Sequence, residues 1–168
     1  GTDEVDYSND ASFGGTSGVT VNLGAGSATD GFGDTDSLAN IESVRGTGFA
    51  DVLTGGGPGF ERFRGLAGND AIDGGSGTAD EVDYSHDIFF GGTAGVTVNL
   101  GAGSATDGFG DTDTLANIER ALRWVIDNRA RLGISTLIVS GSSFLGCRSA
   151  SPGHSRFRPS PFTPRVSG

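Results

Sequence analysis

The sequence predicts an all-β chain, a parallel β-roll or β-solenoid with Gly/Asp-rich turns, and three observations predict it. Residues 56–82 run as two nonapeptides and a slightly stretched third: Gly56 to Arg64, Gly65 to Asp73, then Gly74 to Val82. Each approximates G-G-x-G-x-D-x-U-x, where U is a large apolar residue. Glycine contributes 31 of the 168 residues without the three-residue period of collagen, which disfavours helix through most of the chain. Finally, residues 3–42 overlay residues 80–119 at all but five positions, so the chain carries a duplicated module.

The first module covers residues 1–45. Its opening, Gly1-Thr2-Asp3-Glu4-Val5-Asp6, looks like the second half of a nonapeptide, as in a segment of a longer array, and Val5 to Ser8 closes that repeat. Gly18-Val19-Thr20-Val21-Asn22-Leu23 alternates apolar and polar residues and reads as a strand. Gly24 to Thr29 superficially matches a G-x-G-x-x-(G/A) dinucleotide fingerprint. That fingerprint needs a helix to receive the pyrophosphate, and Asp30-Gly31-Phe32-Gly33-Asp34 will not form one. Gly31 to Leu38 reads as a degenerate turn repeat ending in a short strand, with Ile41 and Val44 extending an apolar file.

Residues 46–83 form the nonapeptide block, which begins with an imperfect repeat, Gly46 to Thr54, and one extra residue, Gly55. Its glycines supply positive-φ turns, and such turns point peptide carbonyls inward. Carbonyl oxygens plus the carboxylate at position six suit a hard, oxygen-loving cation such as Ca2+. The x-U-x tail is long enough only for a strand with one inward side chain. One nonapeptide is therefore half a coil, and loops two repeats apart share an edge. Loop 46–51 then faces loop 65–70, bringing Gly46, Gly48 and Asp51 to Gly65, Ala67, Gly68 and Asp70 as metal ligands. On the other edge Glu61 faces Gly74, Ser76, Gly77 and Asp80. This second site departs from the pattern, because Glu61 replaces Asp, Pro58 stiffens its turn and Ala79 lengthens its partner. Leu53, Phe63, Ile72 and Val82 are the expected inward residues.

Residues 84–119 complete the second module. Asp34 and Asp36, like Asp111 and Asp113, read either as further cation ligands or as turn-capping acids. From residue 120 the pattern changes. Residues 120–145 read as an amphipathic helix, with Ile118, Leu122, Val125, Ile126 and Leu132 near helical spacing, followed by a strand from Ile134 to Ser140. Residues 146–168 hold four of the five prolines and read as a disordered Pro/Ser/Arg-rich tail. A domain junction, a frameshifted end and a secretion tail all remain open as origins for it.

Charge is divided along the chain. Twenty of the 21 acids lie before residue 120, eight of the 11 arginines lie after 119, and there is no lysine. An acidic body argues against nucleic acid as a partner and suits a cation binder. The single cysteine, Cys147, excludes an intramolecular disulfide, and no stretch is long enough for a membrane span.

The nonapeptides resemble the calcium-binding repeats of repeats-in-toxin (RTX, haemolysin-type) proteins. The DYS…GVTVNL…DTDxLxxIE modules are similar to spacer segments within long arrays of that family. The resemblance covers residues 1–119. It implies a calcium-binding β-roll of a secreted, extracellular bacterial protein, exported by a type I route, that folds on meeting external calcium and serves as scaffold or secretion module beside neighbouring domains of a parent chain. It implies no enzyme activity in these residues. Two alternatives stand beside it. One is a passive structural or adhesive solenoid with decayed calcium sites. The other is a non-catalytic fragment of a secreted serine protease, since ALRWVIDNRARLGI at Ala121 to Ile134 weakly resembles a subtilisin-like segment but carries no triad motif. His86 and His154 sit in unrelated contexts.

Overall fold

The structure, a computed structural model, describes residues 1–121. They form thirteen short strands in two sheets that share one apolar core. The strands are β1 (Glu4–Asp6), β2 (Thr20–Asn22), β3 (Ser27–Thr29), β4 (Thr35–Ser37), β5 (Ser43–Arg45), β6 (Val52–Thr54), β7 (Arg62–Arg64), β8 (Ala71–Asp73), β9 (Glu81–Val82), β10 (Thr97–Asn99), β11 (Ser104–Thr106), β12 (Thr112–Ala116) and β13 (Arg120–Ala121). The first sheet has the order β1-β5-β7-β9-β13 and is parallel throughout. The second has the order β10-β11-β12-β8-β6-β2-β3-β4, parallel at its centre and antiparallel at both ends.

From β5 to β9 each successive strand changes sheet, as three-residue strands separated by glycine turns dictate. Each strand then pairs with the one two places on: Val44 stands beside Phe63 and Phe63 beside Val82, while Leu53 stands beside Ile72. Each sheet thus offers one inward apolar row. Val44, Phe63 and Val82 line the first, and Val21, Leu53, Ile72 and Leu115 the second; all are buried. Leu53, Phe63, Ile72 and Val82 therefore fill the core as the spacing predicts. Ile41 does not join it and stays half-buried.

The modules depart from the parallel pattern. Each folds as a three-stranded antiparallel meander, β2-β3-β4 and β10-β11-β12, and β3 and β11 were not foreseen in the sequence. Local turn chemistry explains the reversals. Asn22 Oδ1 accepts the Ala25 N–H at 2.7 Å, and Gly26 takes φ +65°. Asp30 Oδ1 accepts the N–H groups of Phe32 and Asp34, closing the next turn without leaving the sheet. A one-turn helix, Asp10–Phe13, and a 3-10 turn, Asp87–Phe89, also interrupt the strands.

The expected change at residue 120 comes slightly too early. Arg120 and Ala121 form a strand on β9, in the register β5 takes on β1, and do not begin a helix. Edge pairing with Glu81 and Val82 wins over local helical spacing. The rest of the helix–strand unit and the tail lie outside the described residues. No helix among those described is long and apolar enough to cross a membrane.

Candidate functional site: two acidic ladders along the turn edges

A carboxylate stands just before each central strand, so the alternation between sheets sorts these acids onto two edges. On one edge the Val19 N–H donates to Asp51 Oδ1 (2.8 Å), the Asp51 N–H to Asp70 Oδ1 (2.9 Å), and the Asp70 N–H to Asp113 Oδ1 (2.9 Å). On the other, the Glu61 N–H donates to Asp80 Oδ1 (3.0 Å) and the Asp80 N–H to Glu119 Oε2 (2.9 Å). Asp51 thus lies beside Asp70 and Glu61 beside Asp80, the two pairs the spacing predicts. Asp113 extends the first ladder.

The glycines make room for this stacking. A Cβ on Gly46 would run into Asp51 Oδ2, one on Gly65 into Asp70 Oδ2, and one on Gly77 into Asp80 Oδ2. Gly74 is hemmed in by the Asn117 carbonyl and by Asp80, whose Oδ2 lies 2.9 Å from where its Cβ would sit. Gly68 combines φ +118° with a backbone that would put a Cβ 2.6 Å from the Phe49 carbonyl carbon, so only glycine lets loop 65–70 lie on loop 46–51. Gly48, by contrast, faces open space. Ala67 is half-buried, and Ser76 is exposed with its hydroxyl 3.5 Å from the Gly56 carbonyl. Leu66 occupies the place of the second glycine; it accepts φ +72° and buries its side chain.

The buried acids are under electrostatic stress. Burial pushes the Asp70 carboxyl up to about 9, and the Asp51, Asp113 and Asp107 carboxylates add to the rise. Burial likewise lifts Asp87 to about 7 and Asp51, Asp80 and Asp113 to about 6. It also raises Asp107. Among the described residues, four carboxyl oxygens are buried with no hydrogen-bond partner: Asp70 Oδ2, Asp80 Oδ2, Asp87 Oδ1 and Asp107 Oδ2. Buried polar atoms normally find partners, so these four mark places where a proton or a cation is wanted.

A calcium ion fits this chemistry in part. Asp70 and Asp80 each offer a buried carboxyl oxygen without a hydrogen-bond partner beside glycine-lined backbone. Among the described residues, however, no three carboxylate, imidazole or thiolate side chains converge as a metal-binding group. Two of the expected ligands are already engaged: Asp51 accepts from the Thr47 N–H, the Thr47 hydroxyl and the Val19 N–H, and Glu61 from the N–H groups of Gly56 and Gly57.

The sequence reading missed Asp87 and Asp107, whose twins Asp10 and Asp30 are only half-buried. It also missed the ion pairs of the first sheet. Arg64 Nε meets Asp83 Oδ2 at 2.9 Å and its guanidinium also holds Glu4, Arg62 Nε meets Glu81 at 2.9 Å, and Arg45 bridges Glu4 and Asp6. Alternating charge on β5, β7 and β9 was the available signal. These arginines neutralise the outer face of one sheet and leave the turn edges acidic.

No family model matches the chain, and no match to it was found among the curated proteins.

Proposed function

We propose that residues 1–121 are a calcium-responsive β-roll of a secreted protein, a folding scaffold without catalytic activity of its own. The observation that carries this reading is the pair of buried, partnerless oxygens at Asp70 and Asp80, one on each acidic ladder. Without a cation these carboxyls must take up protons or repel their neighbours. With calcium, the same oxygens become ligands, and peptide carbonyls would have to complete the six to eight oxygens that are the usual complement. Extracellular calcium modules commonly bind with Kd near 0.1–1 mM. At about 2 mM calcium and a Kd of about 0.1 mM, linkage contributes roughly 1.8 kcal/mol per site. At cytosolic calcium that contribution nearly vanishes, which suits a module held open inside the cell and closed outside, as in export by a type I route.

The test is far-UV circular dichroism of the full chain during a calcium titration, with magnesium as control. The expected result is a cooperative gain of β-signal between tens of micromolar and a few millimolar calcium, absent with magnesium. A β-spectrum unchanged by calcium would sink the switch.

A second reading has its own support. The closed hydrogen bonding of Asp51 and Glu61 lets their loops form with no ion, as in a passive structural solenoid. In that case the chain shows its full β-signal in chelator.

A further inference from the structure

The duplicated module is bound to the central strands in two different ways, and the difference exposes a docking face. The second module lies on the block through β9 and β12: β9 pairs with β7, and β12 with β8. The first module presents the same two strands in near-identical sequence, as β1 and β4. There they form an outer end of each sheet, with no strand beyond them among the described residues. The first module instead reaches the block through β5, its last strand, and through β2.

The occupied twin spells out what the open face accepts. On β9, the Glu81 N–H donates to the Glu61 carbonyl (2.9 Å) and the Asp83 N–H to the Phe63 carbonyl (2.8 Å), while Arg62 and Arg64 of β7 pair with Glu81 and Asp83. On β12, the Thr114 N–H donates to the Asp70 carbonyl (2.8 Å), and Asp113 and Asp111 receive the N–H groups of Asp70 and Gly68. The corresponding groups of the open face are the N–H groups of Glu4, Asp6 and Ser37 and the carboxylates of Asp34 and Asp36. Asp36 Oδ2 already accepts the Tyr7 hydroxyl at 3.0 Å, as Asp113 Oδ2 accepts that of Tyr84 at 2.8 Å. Among the described residues nothing donates to Asp36 Oδ1, whose twin takes the Asp70 N–H. The face is ready-made in shape: its backbone N–H groups and the Asp34 and Asp36 carboxylates stand as their twins do. Glu4 and Asp6 of β1 already pair with Arg45 and Arg64, so the match rests on strand pairing rather than on charge.

We propose that the β1–β4 face is a docking surface for a Gly/Asp nonapeptide coil of the 62–73 type. The proposal rests on strand pairing and is independent of the calcium reading.

It is tested by joining a second copy of residues 43–79 ahead of Asp3 of the full chain, which reproduces the natural Ala79–Asp80 junction. Amide exchange is then followed by NMR in saturating calcium, with and without the extension. Docking slows the Asp6 and Ser37 amides at least tenfold and leaves Thr114 slow in both proteins. An extension carrying Asp at the positions of Leu53 and Ile72 leaves Asp6 and Ser37 fast. The same block added as a separate peptide gives an independent reading that cannot disturb the chain's own folding; it slows both amides in proportion to its concentration. Unchanged Asp6 and Ser37 exchange in both formats overturns the proposal. So does a sedimentation result in which the unextended chain is a dimer with these amides already slow, because the occupant is then a second copy.

Discussion

Asp70 concentrates the chemistry of the molecule in one side chain. One oxygen holds the Asp51 N–H in place, and the other is buried with nothing to bond. An unfolded aspartate titrates near 3.9, whereas in the fold Asp70 sits at about 9, Asp87 at about 7, and Asp51, Asp80 and Asp113 at about 6. Between those values the folded state holds more protons than the unfolded one, so stability falls as pH rises. The calcium-free protein is therefore expected to unfold at lower urea at pH 8.5 than at pH 5, most of the loss falling between about pH 4 and 7. Equal midpoints at the two pH values would contradict the burial of these carboxyls. Asp70→Asn separates the two demands on this position. In chelator at pH 8 it removes a carboxyl that must take up a proton on folding, and should raise the melting temperature. In calcium it removes a ligand and should weaken the apparent affinity at least tenfold. A variant that loses stability in chelator and keeps its calcium midpoint would show that Asp70 serves only to anchor the Asp51 N–H.

At the scale of elements, the two modules are an internal comparison at nearly constant sequence. Tyr84 donates to Asp113 with both groups buried, whereas Tyr7 donates to an Asp36 that is half exposed. Removing the hydroxyl leaves Asp113 short of a donor inside the protein but leaves Asp36 within reach of water. Tyr84→Phe is expected to cost about 1–3 kcal/mol and Tyr7→Phe less than about 1 kcal/mol in urea unfolding; equal costs would mean that the two ends are equally wet. The comparison also marks how far the sequence could be read. The core rows through Leu53, Phe63, Ile72 and Val82 and the pairs Asp51–Asp70 and Glu61–Asp80 follow from a nine-residue period, because period alone decides which side chains share an edge. β3 and β11 were missed because Ser27-Ala28-Thr29 is too short and too polar to announce a strand, and pairs only once turns at Asn22 and Asp30 reverse the chain. The burial of Asp87 and Asp107 was invisible for a different reason. The sequence around Asp107 is identical to that around the half-exposed Asp30. Around Asp87 only His86, Ile88 and Phe89 replace the Asn9, Ala11 and Ser12 that flank half-exposed Asp10. No local pattern states which edge of a module will be covered.

Across the whole molecule the acids are spread unevenly over the two sheets, and that distribution sets how the fold responds to ions. Arg45, Arg62 and Arg64 pair with acids across the first sheet, so its outer face is nearly balanced. Among the described residues the ladders have no arginine partners and rely on backbone N–H groups and on the Thr47 and Tyr84 hydroxyls. Two kinds of ion therefore act differently. Sodium chloride screens: going from about 0.01 M to 0.15 M shortens the Debye length from roughly 30 to 8 Å, which relieves repulsion between neighbouring exposed acids and does little for desolvated ones. Calcium, on the proposed reading, binds, and its effect grows with the logarithm of its concentration once the sites fill. In chelator, added sodium chloride should raise the melting temperature by a few degrees. In 2 mM calcium the same salt should do much less, because occupied ladders no longer repel. Each site with a Kd of about 0.1 mM contributes roughly 1.8 kcal/mol at 2 mM calcium, which for a body of this size corresponds to several degrees. Both ladders acting together should give about twice the shift of the variant that keeps only one, such as Asp80→Asn. A calcium shift that Asp80→Asn leaves whole, and Asp70→Asn abolishes, would assign the ion to the Asp51–Asp70–Asp113 edge alone. The Glu61 edge would then be held by its N–H bonds, as the engaged oxygens of that glutamate already allow.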